Sequence, residues 1–141
     1  MGVRLSDVER AERRMVEEEL SRLLIDPDDG LATMLGWETF HVRPARTKRG
    51  WRTPAQGSMA KGWPDLVLVR ARDRRLIFAE LKRELEDLRP EQWQVMTVLG
   101  ALVGTIRTAA GQPLLSLETH VWRPSDLRPP VEESVIYRVL R

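Results

Sequence analysis

Three residues stand out for the chemistry their types and spacing allow: Asp65, Glu80 and Lys82. Side chains along a strand alternate faces, so Glu80 and Lys82 project from one side, roughly 7 Å apart. The run before them, Leu76-Ile-Phe-Ala79, is apolar and reads as a largely buried strand. An acid and a base closing such a strand are costly unless paired, solvated or bound to a metal. Asp65 opens the preceding apolar run, LVLVR, and the polar turn at residues 71–74 joins the two as a hairpin. A hairpin sets the start of its first strand beside the end of its second, so Asp65 and Glu80 are expected to converge. Two carboxylates there make an oxygen-rich site suited to Mg²⁺ or Mn²⁺. Such an ion polarises a phosphate oxygen and acidifies a bound water. Lys82 could offset the charge that builds on a five-coordinate phosphorus. The chemistry implied is phosphodiester hydrolysis; the bland alternative is a surface ion pair at a strand end.

The elements that must position these groups are legible as patterns. Residues 5–25 read as one helix, with Ala11, Met15, Leu20, Leu23 and Leu24 toward one face and Asp26-Pro-Asp-Asp-Gly30 stopping it. A helical turn covers residues 31–35, and residues 37–42 form a first strand. Residues 45–63 carry three glycines and little periodicity, which predicts a long loop. After the hairpin, Pro90 sits where a helix begins. Trp93, Met96, Leu99, Leu102, Val103 and Ile106 recur at helical spacing, so that helix is expected to run on toward Gly111-Gln112-Pro113, with Trp93, Met96, Leu99 and Val103 as core. Residues 117–122 suit a further strand and 131–140 a last short helix. The order implies a mixed sheet flanked by helices in a single α/β domain over residues 1–141.

Composition narrows the field. The 141 residues are 42% hydrophobic and 31% charged, ordinary for a globular chain. The absence of cysteine removes disulfides and thiolate zinc sites and fits a reducing, cytoplasmic setting. The charged start lacks the apolar core of a secretory signal, and no stretch is apolar for long enough to span a bilayer. A net charge of +2 says little, but its distribution says more. Residues 39–64 hold no acid and six cations: Arg43, Arg46, Lys48, Arg49, Arg52 and Lys61. Between Asp7 and Glu19, six acids face three arginines. DNA would be drawn to the first segment through phosphate contacts and repelled by the second. Trp51 and Trp63 could stack on bases there or pack the loop on the core. His41 and His120 are read as structural.

At these residues the chain resembles a known family. Pro64-Asp65 followed by Glu80-Leu81-Lys82 looks like the PD-(D/E)xK nuclease signature. More narrowly, GWPDLVLVR, LIFAELK, RPEQW and HVWRPSDL resemble successive blocks of the VRR-NUC group, including its small phage-type members. Similarity reaches back through GWETFHVRPARTKRGWRTP, covering residues 36–127. The resemblance implies a restriction-endonuclease-like fold and a Mg²⁺- or Mn²⁺-dependent DNA endonuclease. Asp65, Glu80 and the backbone carbonyl of Leu81 would be metal ligands and Lys82 the catalytic lysine. Gln92 would approach the site from the following helix. A first-helix glutamate is also implied, with Glu17 favoured over Glu18 and Glu19. Branched DNA, the Holliday junction in particular, is the implied substrate in a bacterial or phage-infected cytoplasm, and two symmetric cuts call for a homodimer. A DNA-binding module that does not cut, and a nicking partner within a larger assembly, are the alternatives. Ser21, the insertion at residues 27–30 and Arg89 depart from the family pattern.

Overall fold

The computed structural model describes residues 6–42, 45–48, 50–52 and 55–141. It is an α/β fold with a five-stranded mixed sheet. Helices α1 (Asp7–Arg14), α2 (Glu17–Ile25) and α3 (Leu31–Met34) precede strand β1 (Glu38–His41). The short strands β2 (Ala45–Thr47) and β3 (Gly50–Arg52) follow, then β4 (Leu66–Arg70) and β5 (Arg75–Leu81). Helix α4 (Pro90–Gly100), strands β6 (Gly104–Arg107) and β7 (Pro113–Trp122) and helix α5 (Val135–Leu140) complete the order. The sheet runs β1-β4-β5-β7-β6, with β2 and β3 paired apart from it.

β1, β4 and β5 form an antiparallel meander, as β6 and β7 form an antiparallel pair. β5 and β7 run parallel. The Ser116 N–H donates to Arg74 O at one end and the Lys82 N–H to Trp122 O at the other, so both strands advance together. The β4–β5 hairpin expected from the sequence is present, closed by Arg74 in the left-handed region at φ 58° and clamped by a bidentate Arg70–Asp73 pair.

The chain divides into two compact units, one of Met1–Trp37, Leu81–Asp87 and Val121–Arg141, the other of Glu38–Glu80 and Leu88–His120. In the first unit Leu20, Leu24, Trp37, Trp122, Ile136 and Leu140 are buried, and the Trp37 indole N–H donates to Leu140 O at 2.9 Å. The expected single helix over residues 5–25 is two helices, with its start at Leu5 outside the described residues. Met15 and Val16 are extended between α1 and α2. In one continuous helix, Glu12 would stand roughly 80–120° round the axis from Leu20 and Leu24. The break lets α1 bury Glu12 against Arg128, which grips both its carboxylate oxygens at 2.7 and 2.8 Å. α2 then buries its own stripe of Leu20, Ser21 and Leu24.

In the second unit Phe78, Val95 and Leu99 pack with Met59, Trp63, Val67, Leu76 and Leu117. Helix α4 corrects the sequence reading twice. It stops at Gly100, and Ile106 belongs to β6. Leu102, Val103 and Ile106 continue the helical spacing by chance, while Gly100, Gly104 and the β-branched Val103, Thr105 and Ile106 favour leaving the helix. Its buried positions are Gln92, Val95 and Leu99, whereas Trp93 and Val103 are exposed. The inward stripe is therefore turned by one residue from the one expected. Residues 45–63 are likewise no plain loop: β2 and β3 pair as a tight hairpin and a 3₁₀ turn spans Ala60–Gly62.

Candidate active site

The site begins with register. β4 and β5 pair Val67 with Phe78 and Leu66 with Ala79; the paired register ends there, and Asp65, at a bend, and Glu80 are the next residues along each chain segment. Residues opposed in an antiparallel pair point to the same face. For Val67 and Phe78 that face is the one α4 covers, because both pack with Val95 and Leu99 of α4. Glu80 is 2% exposed and Asp65 is partly exposed. The acidic pair thus has a buried member and one open to solvent.

Gln92 joins Glu80 from α4. Its amide nitrogen donates to Glu80 Oε1 at 2.7 Å. Its amide oxygen accepts the Arg89 backbone N–H at 2.9 Å, one of the orphan donors at the helix start. Arg89 is a poor capping residue, and Gln92 supplies the cap that its side chain does not. Since a backbone N–H can only donate, the amide oxygen must face Arg89 and the NH₂ must face Glu80. This settles which way the amide points.

The entry to Asp65 is built as firmly. Gly62 lies against α4 so closely that an added Cβ would stand 2.0 Å from Glu91 O and 2.9 Å from a Val95 methyl. No other residue fits there without moving the turn. Trp63 then meets Phe78 edge-to-face at 5.4 Å, Pro64 is fully buried, and Asp65 O accepts the Val42 N–H at 3.1 Å. Gly62-Trp-Pro-Asp65 is therefore an anchored segment that delivers the aspartate at a set height on the sheet.

The structure bonds Gln92 to Glu80 and sets Asp65 immediately before β4, beside the end of the β4–β5 register. Glu17, Leu81 and Lys82 belong to the other unit. Leu81 is the last residue of β5, Lys82 is buried with its N–H on Trp122 O, and Glu17 opens α2 partly buried while Glu18 and Glu19 are exposed. Of the six cations in residues 39–64, Lys48 and Lys61 are exposed. Arg43 and Arg49 lie outside the described residues, as do the side chains of Arg46, Trp51 and Arg52.

One cluster escaped the sequence reading. Arg75 grips both carboxylate oxygens of Glu118 at 2.8 and 2.9 Å across β5 and β7, and His120 lies 3.3 Å from the same carboxylate. Burial alone would raise the Glu118 pKa, but the His120 and Arg75 hydrogen bonds outweigh it and hold the group at about 2. Its residues are distant in sequence, and only the parallel β5–β7 pairing gathers them.

Among the described residues, no three His, Cys, Asp or Glu side chains gather into a metal cage. The carboxylates nearest the end of the β4–β5 hairpin are Asp65, just before β4, and Glu80, near the end of β5. A hard divalent cation that keeps several waters and takes one or two carboxylates accepts such a set. The residues therefore fit Mg²⁺ or Mn²⁺, with Gln92 occupying one oxygen of Glu80 as an orienting donor. Compared with protein-family models, curated proteins and solved structures, the chain matches none. No described helix is long and apolar enough to cross a membrane.

Proposed function

We propose that this chain is a divalent-metal-dependent DNA endonuclease with a restriction-endonuclease-like fold. The observation that carries the reading is the β4–β5 register, which leaves Asp65 and Glu80 as the next residues at its end, with Gln92 of α4 bonded to Glu80. When bound, Mg²⁺ or Mn²⁺ supplies Lewis-acid polarisation of the scissile phosphate and a water of lowered pKa. Asp65 and Glu80 would hold the cation, with the Leu81 carbonyl as a further oxygen implied by the resemblance. Gln92 restrains Glu80 in one orientation. From the resemblance, Lys82 would serve as the catalytic lysine that offsets charge on the phosphoryl oxygens, and a first-helix glutamate, Glu17, would join the set. Hydrolysis forms a bond from a water oxygen to phosphorus and breaks the bond to the leaving sugar oxygen, which takes up a proton.

The segment with six cations and no acid holds the DNA backbone through contacts that carry no base information. Branched DNA is the proposed substrate, with the Holliday junction the most specific form and a homodimer making paired cuts. Light scattering showing a monomer with and without junction DNA would remove the dimer.

The deciding experiment compares plasmid and junction cleavage in Mg²⁺, Mn²⁺ and EDTA for wild type, Asp65→Asn, Glu80→Gln and Lys82→Ala. Cleavage should require the metal and fall by at least about a hundredfold in each variant, with DNA binding kept. Binding without cutting under every metal condition would leave a DNA-binding module instead.

A further inference from the structure

A cavity of about 810 Å³ opens within the second unit, bordered by Phe40, His41, Gln56, Ser58, Met59 and Trp63. Its place relative to the acidic pair follows from register. β1 pairs Phe40 with Val67 and His41 with Leu66, so one further step sets Val42 opposite Asp65. The Val42 N–H on Asp65 O confirms that step. Phe40 therefore shares the face of Val67, Phe78 and Glu80; by strand spacing and rise it stands one strand and on the order of 8 Å from Asp65, and two strands and roughly 12 Å from Glu80.

The lining suits one kind of guest. Phe40 is 62% exposed and Trp63 partly exposed, so each offers an aromatic surface. Met59 adds a polarisable thioether. Gln56 and Ser58 at its border supply hydrogen-bonding groups. The volume lies in the range of pockets that enclose a small organic ligand. In sequence, residues 39–64 carry six cations and no acid, and exposed Lys61 sits on the turn that leads to Trp63. A planar, hydrogen-bonding, anion-linked group meets all of these conditions.

We propose that this cavity receives one unstacked nucleobase of the DNA strand whose phosphate lies at Asp65 and Glu80. The inference rests on the endonuclease reading and deepens it. Selectivity for branched or single-stranded DNA then arises because paired, stacked bases must first be extruded, whereas bases at a branch are already loose. Phe40 and Trp63 stack on the base whatever its identity, so the preference is for structure rather than sequence.

The test uses fluorescein-labelled single-stranded and four-way-junction oligonucleotides with Asp65→Asn protein, so that nothing is cut. An abasic nucleotide is walked along the strand and the Kd measured at each position. At one position loss of the base should weaken binding about tenfold. In the further variants Phe40→Ala, at an exposed site on an edge strand, and Ser58→Trp, which fills the cavity, that penalty should vanish while thermal unfolding stays as in the parent. A penalty at no position, or one that persists in both variants, overturns the cavity assignment. Metal-dependent cleavage by wild type in a parallel assay shows in that case that the endonuclease reading survives. Protein that neither binds nor cuts DNA overturns both.

Discussion

The Gln92 amide bridges two elements: its NH₂ donates to Glu80 Oε1 at 2.7 Å while its oxygen caps the start of α4 through the Arg89 N–H at 2.9 Å. One side chain thus ties helix geometry to carboxylate orientation. A buried carboxylate is tolerated only with such donors, and the cap holds the donor in place.

Gln92→Ala removes both bonds and should destabilise the protein by about 1–3 kcal/mol. Gln92→Glu should cost more at neutral pH, because a second carboxylate then faces Glu80. Urea midpoints of the two variants at pH 7 and pH 4 check this, with the gap between them narrowing at pH 4. Gln92→Glu as stable as wild type at both would mean that the bond contributes nothing.

Glu118 predicts an acid limb in the stability curve. Its carboxyl is held at about 2 in the fold against an ordinary value of 4.5, so the folded state favours the ionised form. That stabilisation is present in full above pH 4.5 and is lost as the pH falls through about 2. Discounted for solvent screening, it amounts to on the order of 1–2 kcal/mol. Glu118→Gln should lose that much at pH 7 and little at pH 2, read from denaturant midpoints against pH.

Glu12 is 6% exposed and takes both hydrogen bonds from Arg128, whose guanidinium is held protonated well above its ordinary range by that carboxylate. Arg128→Ala should therefore lower Tm, and adding Glu12→Leu should recover part of the loss, since the second change removes the stranded charge. A double variant less stable than Arg128→Ala would show that Glu12 is held by other neighbours.

The cationic segment should reveal itself through salt. Neutralising Arg46, Lys48, Arg49 and Arg52 together should weaken DNA binding and flatten the plot of log Kd against log salt by about 0.9 for each phosphate no longer neutralised. An unchanged slope would mean that these residues do not touch the backbone.

The acidic hairpin was legible in the sequence because its determinants are local. Apolar runs of strand length, a short polar turn and the period of two fix which residues face each other. Those patterns are enough to form the hairpin that pairs Leu66 with Ala79 and to start a helix at Pro90. Other features depend on partners remote in the chain. Helical spacing continues through Leu102, Val103 and Ile106, and nothing nearby reveals that α4 stops at Gly100.

The inward face of α4 was decided by tertiary structure. Amphipathic spacing favours Trp93, but Gly62 admits α4 at close range only where Val95 faces it, and Glu80 requires a donor that Gln92 supplies. Each condition comes from a strand or turn distant in sequence, and together they rotate the helix by one residue. The break between α1 and α2 has a similar origin, since Glu12 turns toward an arginine 116 residues away. Periodicity therefore determined which segments form and which residues oppose within the hairpin. Long-range packing and the demand of buried charges for partners decided which faces meet.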